Sequence, residues 1–346
     1  MKNMTHRRGR TLLVAGATVG MLALAACSSG QEPTGGASAS ATGGAKDGPL
    51  TIAFLQKQGD QQYFIDEANG AKEAAKAAGD VEIKVVNLGT DANKAISEVE
   101  SAIAQKVDGI IIVVPDQQIG PQVIGAAKAA NIPLMAADDL IKDAAGAEAP
   151  FSGFDGNAMG ELVGAEAARL YKEAGWTSAD TRILSAYKQD LSVCTDRVEG
   201  AKTAFAAAVP DGPEVIDVGT DNSATGAQDK AGAVITANSG VKNWVVWGCN
   251  DENETGVVTA LQNGGVKPAN IVGVGLGAYL ACKDWKAGTD SGNKAALFIS
   301  GVEVGKAAAN SMIALLRDNV PLPPKSIAKT EMVGPDNWET KGVVCT

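Results

Sequence analysis

From Leu50 onward the chain alternates short β-branched runs with segments of helical period, a rhythm that restricts it to parallel sheets covered by helices on both faces. Leu50 to Leu55 reads as a strand, and Tyr63 to Ala78 as a helix with Phe64, Ala68, Ala71, Ala75 and Ala78 on one face. Val81 to Val86 is the next strand, and Ala92 to Gln105 a helix with Ile96, Val99 and Ile103 in register. Gly109 to Val114 reads as a strand buried on both faces, Pro121 to Ala130 as a helix and Ile132 to Ala137 as a strand. The pattern restarts after Phe151. Strands over 152–155, 182–186, 214–218, 244–247 and 271–274 alternate there with helices over 159–174, 195–208, 228–237 and 255–263. The fold class is α/β, with two doubly wound parallel-sheet lobes. A length of 346 residues suits two domains of ordinary size.

Charge and histidine content narrow the function. There are 30 Lys and Arg against 40 Asp and Glu, a formal charge of −10, and four of the cations (Lys2, Arg7, Arg8, Arg10) fall in the first 27 residues. Such a surface repels nucleic acid and anionic headgroups, so no nucleic-acid partner is expected. The one histidine, His6, lies in that same segment. A mature chain without histidine builds neither a Ser-His-Asp nor a Cys-His site, and no His-ligated zinc. No metal and no cofactor is expected. Asp217 to Asp229 holds several oxygen ligands, but not at the spacing of an EF-hand loop.

The amino terminus reads as a leader. Residues 2–10 are basic, and Thr11 to Ala26 is an apolar run of about 16 residues, short of the ~20 that span a bilayer but suited to a signal peptide. Leu24-Ala25-Ala26-Cys27 resembles the bacterial lipobox, which implies cleavage before Cys27 and its lipidation. The Gly, Ser, Ala and Thr of 28–48 cannot build a core and read as a flexible tether with a reach of ~25 Å. These features place the folded body on the extracytoplasmic face of a bacterial cell membrane, held by a lipid anchor. Cys194, Cys249, Cys282 and Cys345 remain, an even count that in an exported chain suggests two disulfides with three possible connectivities.

In doubly wound sheets ligands meet the loops past the carboxyl ends of the strands. Those loops hold Gln56 to Phe64, Asp116 with Gln117 and Gln118, Asp138 and Asp139, Asp155 and Asn157, Lys188 to Asp190 leading to Arg197, Asp221 and Asn222, Cys249 to Asn253, and Gly275 to Tyr279. Carboxylates accept from sugar hydroxyls, ammonium and guanidinium groups donate to them, and carboxamides do both. An aromatic face covers the C–H patch of a pyranose. The set suits a neutral polyhydroxylated ligand.

Phe54-Leu55-Gln56-Lys57-Gln58 with Tyr63-Phe64, Pro115-Asp116, Asp138-Asp139, Gly248-Cys249-Asn250-Asp251 and Ile271 to Gly275 together resemble the L-arabinose-binding proteins and their relatives, from about Leu50 to the carboxyl end. The resemblance implies the type I periplasmic-binding-protein fold and the role of sugar-binding component of an ABC transporter, a monomer that closes on a monosaccharide and presents it to a permease. Lys57 would donate to hydroxyls, Gln61 would stand where the family commonly has a glutamate, and Tyr63 or Phe64 would stack on the ring. Asp138 and Asp139 would accept from hydroxyls, Phe154 would make an apolar contact where the chain crosses between lobes, and Asn250 would bind from the second lobe. With Asp116, Arg197 and Asp251 from the strand-end loops, these make the candidate ligand set. The chain departs from the family pattern in three places. Thr195 occupies the usual arginine position, with Arg197 two residues later, and the Gly275 to Leu280 loop lacks an asparagine and an aspartate. Gln61 replaces an acid. In the resembled fold Cys194 and Cys249 fall on neighbouring strand-end loops, which favours Cys194–Cys249 and Cys282–Cys345.

The implied organisation is a leader over 1–27, a tether over 28–48, an amino-terminal lobe of 49–150 plus 301–330 and a carboxyl-terminal lobe of 151–300 plus 331–346. Chain crossings are expected near 150–153, 297–301 and 329–334. Asp138, Asp139, Asp155 and Asp251 could supply two carboxylates to a glycosidase, but that chemistry needs an acid and a nucleophile or base about 5–9 Å apart with one pKa raised, and nothing in the spacing demonstrates it. The remaining alternatives are a sugar-sensing lipoprotein of the same fold and a binder of a different small ligand.

Overall fold

The computed structural model describes residues 45–345, so the leader, the lipobox Cys27 and all but the end of the tether lie outside the described residues. Twelve strands and nine α-helices follow in this order: β1 (Leu50–Lys57), α1 (Gln62–Ala78), β2 (Val81–Gly89), α2 (Ala92–Ala104), β3 (Gly109–Ile112), α3 (Gly120–Ala129), β4 (Leu134–Ala137), β5 (Phe151–Gly153), α4 (Gly156–Glu173), β6 (Thr181–Tyr187), α5 (Ser192–Ala208), β7 (Glu214–Gly219), α6 (Ala224–Ala237), β8 (Asn243–Gly248), α7 (Asp251–Asn263), β9 (Ile271–Gly277), α8 (Ala281–Lys286), β10 (Asn293–Ile299), α9 (Gly301–Asp318), β11 (Lys325–Ile327) and β12 (Thr330–Val333), all among the described residues.

The strands form two six-stranded sheets. The first runs β11-β5-β4-β3-β1-β2 and the second β12-β10-β9-β8-β6-β7, so both share one strand order and differ in their last edge. Every pairing is parallel except β10 with β12. Strand alternation divides the core. Ile52 and Phe54 of β1 pack with Phe64, Ala68 and Ala71 of α1, while Ala53 and Leu55 pack with Val99 of α2 and Val123 of α3. Side-chain caps fix several helix starts: Asp91 accepts from the amides of Asn93 and Lys94, Asp155 from Ala158 and Ser300 from Glu303.

The chain passes between sheets three times: after Gly153 into α4, at Ser300 into α9, and between β11 and β12. Helix α9 returns to pack on α1, β3, β4 and β5. One expected strand changes sheets. The segment read as opening the second unit is Phe151–Gly153, and it lies in the first sheet with Phe151 opposite Ala136 and Ser152 opposite Ala137. A three-residue strand at a lobe boundary carries no periodicity that assigns it to either side, so only its hydrogen-bonding partners decide. Asp155, read as strand, is the cap of α4. The structure also adds α8, β10, β11 and β12, which the strand reading did not contain. The two disulfides are Cys194–Cys249 and Cys282–Cys345. Among the described residues, no helix is long and apolar enough to cross a membrane.

Candidate functional site

Each sheet reverses its winding at one point, between β1 and β3 in the first and between β6 and β8 in the second, and loops past the carboxyl ends there are free to hold a ligand. The two sets of loops line one cavity of about 290 Å³.

The first-lobe wall is built on an ion pair. Lys57, the last residue of β1, donates from Nζ to Asp139 Oδ2 at 2.8 Å, with the lysine side chain 10% exposed and the aspartate 0%. The ammonium also stands 5.7 Å from the centroid of the Phe64 ring. Asp139 Oδ1 is buried without a partner. Its neighbour Asp138 has φ +56°. That left-handed conformation, tolerated by aspartate, breaks the strict alternation of extended chain, and both consecutive aspartates line the cavity. Tyr63 Oη donates to Asp138 Oδ1 at 3.0 Å. Burial and the adjacent Asp139 push the Asp138 carboxyl up, partly offset by Arg197 and Lys57, and the same burial holds the Tyr63 phenol well above its usual range.

On the second-lobe side Arg197, in the second turn of α5, donates from Nη1 to the Cys249 carbonyl at 2.9 Å, while its Nε is buried without a partner. The Cys194–Cys249 bridge ties the first turn of α5 to the loop after β8, which fixes where Arg197 stands. Asn250 caps α7, its Oδ1 accepting from Asn253 N at 3.0 Å, and its amide donates to the Asn222 carbonyl at 3.3 Å. Asp251 follows, 3% exposed, with Oδ2 accepting from Leu280 N at 2.5 Å and Oδ1 left unpartnered. Burial, with Glu252 beside it, pushes its pKa up to about 7.

Two more carboxyls lie beneath the walls. Glu67 on α1 and Glu254 on α7 are 0% exposed and neither has a hydrogen-bond partner. Burial raises both well above the carboxylate range, reinforced at Glu67 by Asp138 and at Glu254 by Asp251. An unpaired buried charge is costly enough that both carboxyls are held neutral.

Of the expected ligand set, Lys57, Gln61, Tyr63, Phe64, Asp138, Asp139, Arg197, Asn250 and Asp251 line this one cavity. Two residues stand apart from it. Asp116 sits at the end of the loop after β3, where its side chain accepts from Gln118 N at 2.8 Å. Phe154 packs beside Tyr63, ring centroids 6.5 Å apart, at the first crossing between sheets. The cavity also includes Leu191, Val193, Leu276, Leu280 and Ile299, which the candidate set omitted. Their signal was absent because an apolar residue at a strand end reads as core. Asn222 and Tyr279 stood in strand-end loops and could have been chosen on that ground. With two cations, several carboxyls and carboxamides around one space, the cavity can form many hydrogen bonds to an uncharged polar solute. Among the described residues no group of three or more His, Cys, Asp or Glu side chains is placed to hold a metal.

Comparison with known proteins agrees with this geometry. The family described as "Periplasmic binding protein domain" matches residues 52–319. The chain is 28% identical over 305 residues to the "ABC transporter L-arabinose-binding periplasmic protein" of Azospirillum brasilense, covering 85% of this chain and 89% of the relative. It is 27% identical over 231 residues to the "L-arabinose-binding periplasmic protein" of Escherichia coli K12, covering 66% and 70%. Among solved structures, a periplasmic solute binding protein from Actinobacillus succinogenes 130z with bound D-allose superposes with a TM-score of 0.74 at 23% identity, covering 84% of this chain and 99% of that one. The binding protein of the arabinose ABC transporter from Shewanella sp. ANA-3 gives a TM-score of 0.72 at 21% identity, covering 84% and 94%. These likenesses at low identity speak for the fold. The chain belongs to the periplasmic binding protein family, and it is a binding protein rather than an enzyme.

Proposed function

We propose that this protein is the solute-binding component of a sugar ABC transporter, holding one monosaccharide in the cavity between its sheets and presenting it to a membrane permease. The observation that carries this reading is the unused hydrogen-bonding capacity of the cavity. Asp139 Oδ1 and Arg197 Nε are buried without partners, in a space also lined by Lys57, Gln61, Asn222 and Asn250. A buried polar atom of this kind is costly unless something fills its valence, and a sugar hydroxyl, donor and acceptor at once, serves either one. The relatives named for L-arabinose put aldoses first among the ligands to try.

In this reading Cys27 carries the lipid, residues 28–48 tether the folded body to the extracytoplasmic face of the cell membrane, and the protein works as a monomer. Binding favours the form in which both walls touch the solute, by its differential affinity for that form. Micromolar affinity corresponds to about −8 kcal/mol, which a monosaccharide can reach through several charge-assisted hydrogen bonds.

The test is a melting series against pentoses, hexoses, deoxyhexoses, polyols and amino acids. At a hundredfold excess over Kd a bound sugar stabilises by about 2.7 kcal/mol, a rise of several degrees in Tm. At least one monosaccharide is expected to give that rise. A series in which no monosaccharide does so overturns the assignment.

A further inference from the structure

The Cys194–Cys249 bridge stands in the wall of the cavity, and both cysteines are nearly sealed, Cys194 being 1% exposed and Cys249 0%. It joins the first turn of α5 to the loop after β8 across a sequence separation of 55 residues. Cys249 holds α5 a second time, since its carbonyl accepts from Arg197 Nη1 at 2.9 Å. The loop after β7 rests on the same bridge. Asn222 lies with Nδ2 3.5 Å from Cys194 Sγ and Oδ1 3.3 Å from Cys249 Sγ, and its carbonyl accepts from Asn250 Nδ2 at 3.3 Å. One covalent bond thus gathers three strand-end segments, and each brings a polar side chain to the cavity: Arg197, Asn222 and Asn250. The other bridge, Cys282–Cys345, ties the carboxyl-terminal tail to α8, and neither of its cysteines lines the cavity.

Side chains ordered before a ligand arrives do not have to be ordered by it, and that saving appears as affinity. Resting on the sugar-binding reading above, we propose that Cys194 and Cys249 are positioning residues of the sugar site: their bridge raises monosaccharide affinity about tenfold or more, and a bound sugar in return holds the bridge oxidised. The second half follows from the first, because coupling between two equilibria is reciprocal. A dithiol that opens the bridge breaks one S–S bond in the protein and closes one in the reagent, passing two electrons and two protons to Cys194 and Cys249. The thiols so formed are donors, which the bridged sulphurs are not, and they face Asn222 Oδ1.

Two measurements on the full mature protein test this, with L-arabinose, or whichever monosaccharide raises Tm most, as the probe. In titration calorimetry well below the Tm of either protein, Cys194→Ala/Cys249→Ala should bind the sugar at least tenfold more weakly than the wild type. In a titration of the wild type with dithiothreitol, quenched by alkylation and read peptide by peptide, saturating sugar should raise the ratio of reduced to oxidised reagent that half-opens Cys194–Cys249 by at least tenfold, or about 30 mV. The ratio for Cys282–Cys345 should rise less than threefold. A merely structural bridge behaves otherwise: sugar stabilises the fold as a whole and shifts both bridges together, and the double variant melts lower with its affinity within threefold of the wild type. Either result overturns the positioning role and leaves the sugar reading standing. A wild type that binds no monosaccharide overturns both. The dithiothreitol titration decides the matter even if the variant fails to fold.

Discussion

Lys57 and Asp139 dominate the first-lobe wall energetically, because neither can return to water in the folded protein. Removing one partner of such a pair leaves the other buried and unpaired, at a cost of about 3–5 kcal/mol. Lys57→Met should lower stability by that amount in chemical denaturation, and adding Asp139→Leu should recover much of it. A loss below about 1 kcal/mol for the single variant would show that Asp139 is better solvated than its burial indicates. Asp251 carries a pH signature of its own. Its pKa is about 7 in the folded protein against about 3.9 in an unfolded chain. Ionisation is therefore penalised only after folding: the stability is full below pH 4, falls as the pH rises toward 7, and stays lowered above it. Glu252 and Glu254 lie close by and act in the same direction. Asp251→Asn removes this titration, so the Tm of the variant minus that of the wild type should become more positive between pH 4.5 and pH 8. A difference flat across that range would contradict the assignment.

At the scale of elements, two helix pairs repeat one device. Helices α1 and α9 approach so closely that a Cβ on Gly305 would stand 1.8 Å from the Glu67 carbonyl oxygen, and one on Gly70 2.1 Å from that of Val302. In the other lobe α4 and α5 do the same, with 1.9 Å from a Cβ on Gly160 to the Arg197 carbonyl and 2.1 Å from Gly164 to that of Ala201. These contacts press α1 and α5 onto their neighbours, and Tyr63 and Arg197 are carried on those helices. Gly305→Ala should destabilise by roughly 1–3 kcal/mol or more through overpacking. The exposed Gly125 of α3 has open space beyond it, and Gly125→Ala should be neutral or stabilising by about 0.5–1 kcal/mol. Equal effects in thermal melts would show that the close approach is not what these glycines serve. The periodic elements were legible because β-branched runs and helical stripes alternate cleanly up to Val274. Strand β5 was not, since its neighbours rather than its own residues choose its sheet. Nor was the inward turn of Asp251, because nothing local to the start of α7 announces that the β9–α8 loop will present it with the Leu280 amide. The pairing of Cys194 with Cys249 came from likeness to a fold, since spacing alone leaves three connectivities open.

Across the whole molecule, the two sheets meet at the site through three crossings and through direct contacts. Ser192 donates from its hydroxyl to Gln117 Oε1, whose amide in turn donates to the Leu140 carbonyl at 2.8 Å. Tyr63 of the first lobe meets Tyr279 of the second at 6.4 Å between ring centroids. One cavity thus draws a cation and two acidic side chains from one sheet and a guanidinium, carboxamides and several apolar side chains from the other. In the proposed function this junction holds a single uncharged sugar on the Lys57–Asp139 pair. Titration calorimetry of an aldose into the wild-type protein and into Asp139→Ala decides whether it does. The wild type should show one site per chain, and the variant an affinity ten- to a hundredfold weaker, matching the roughly 1.5–3 kcal/mol of a hydrogen bond to a charged group. An unchanged affinity in the variant would contradict it.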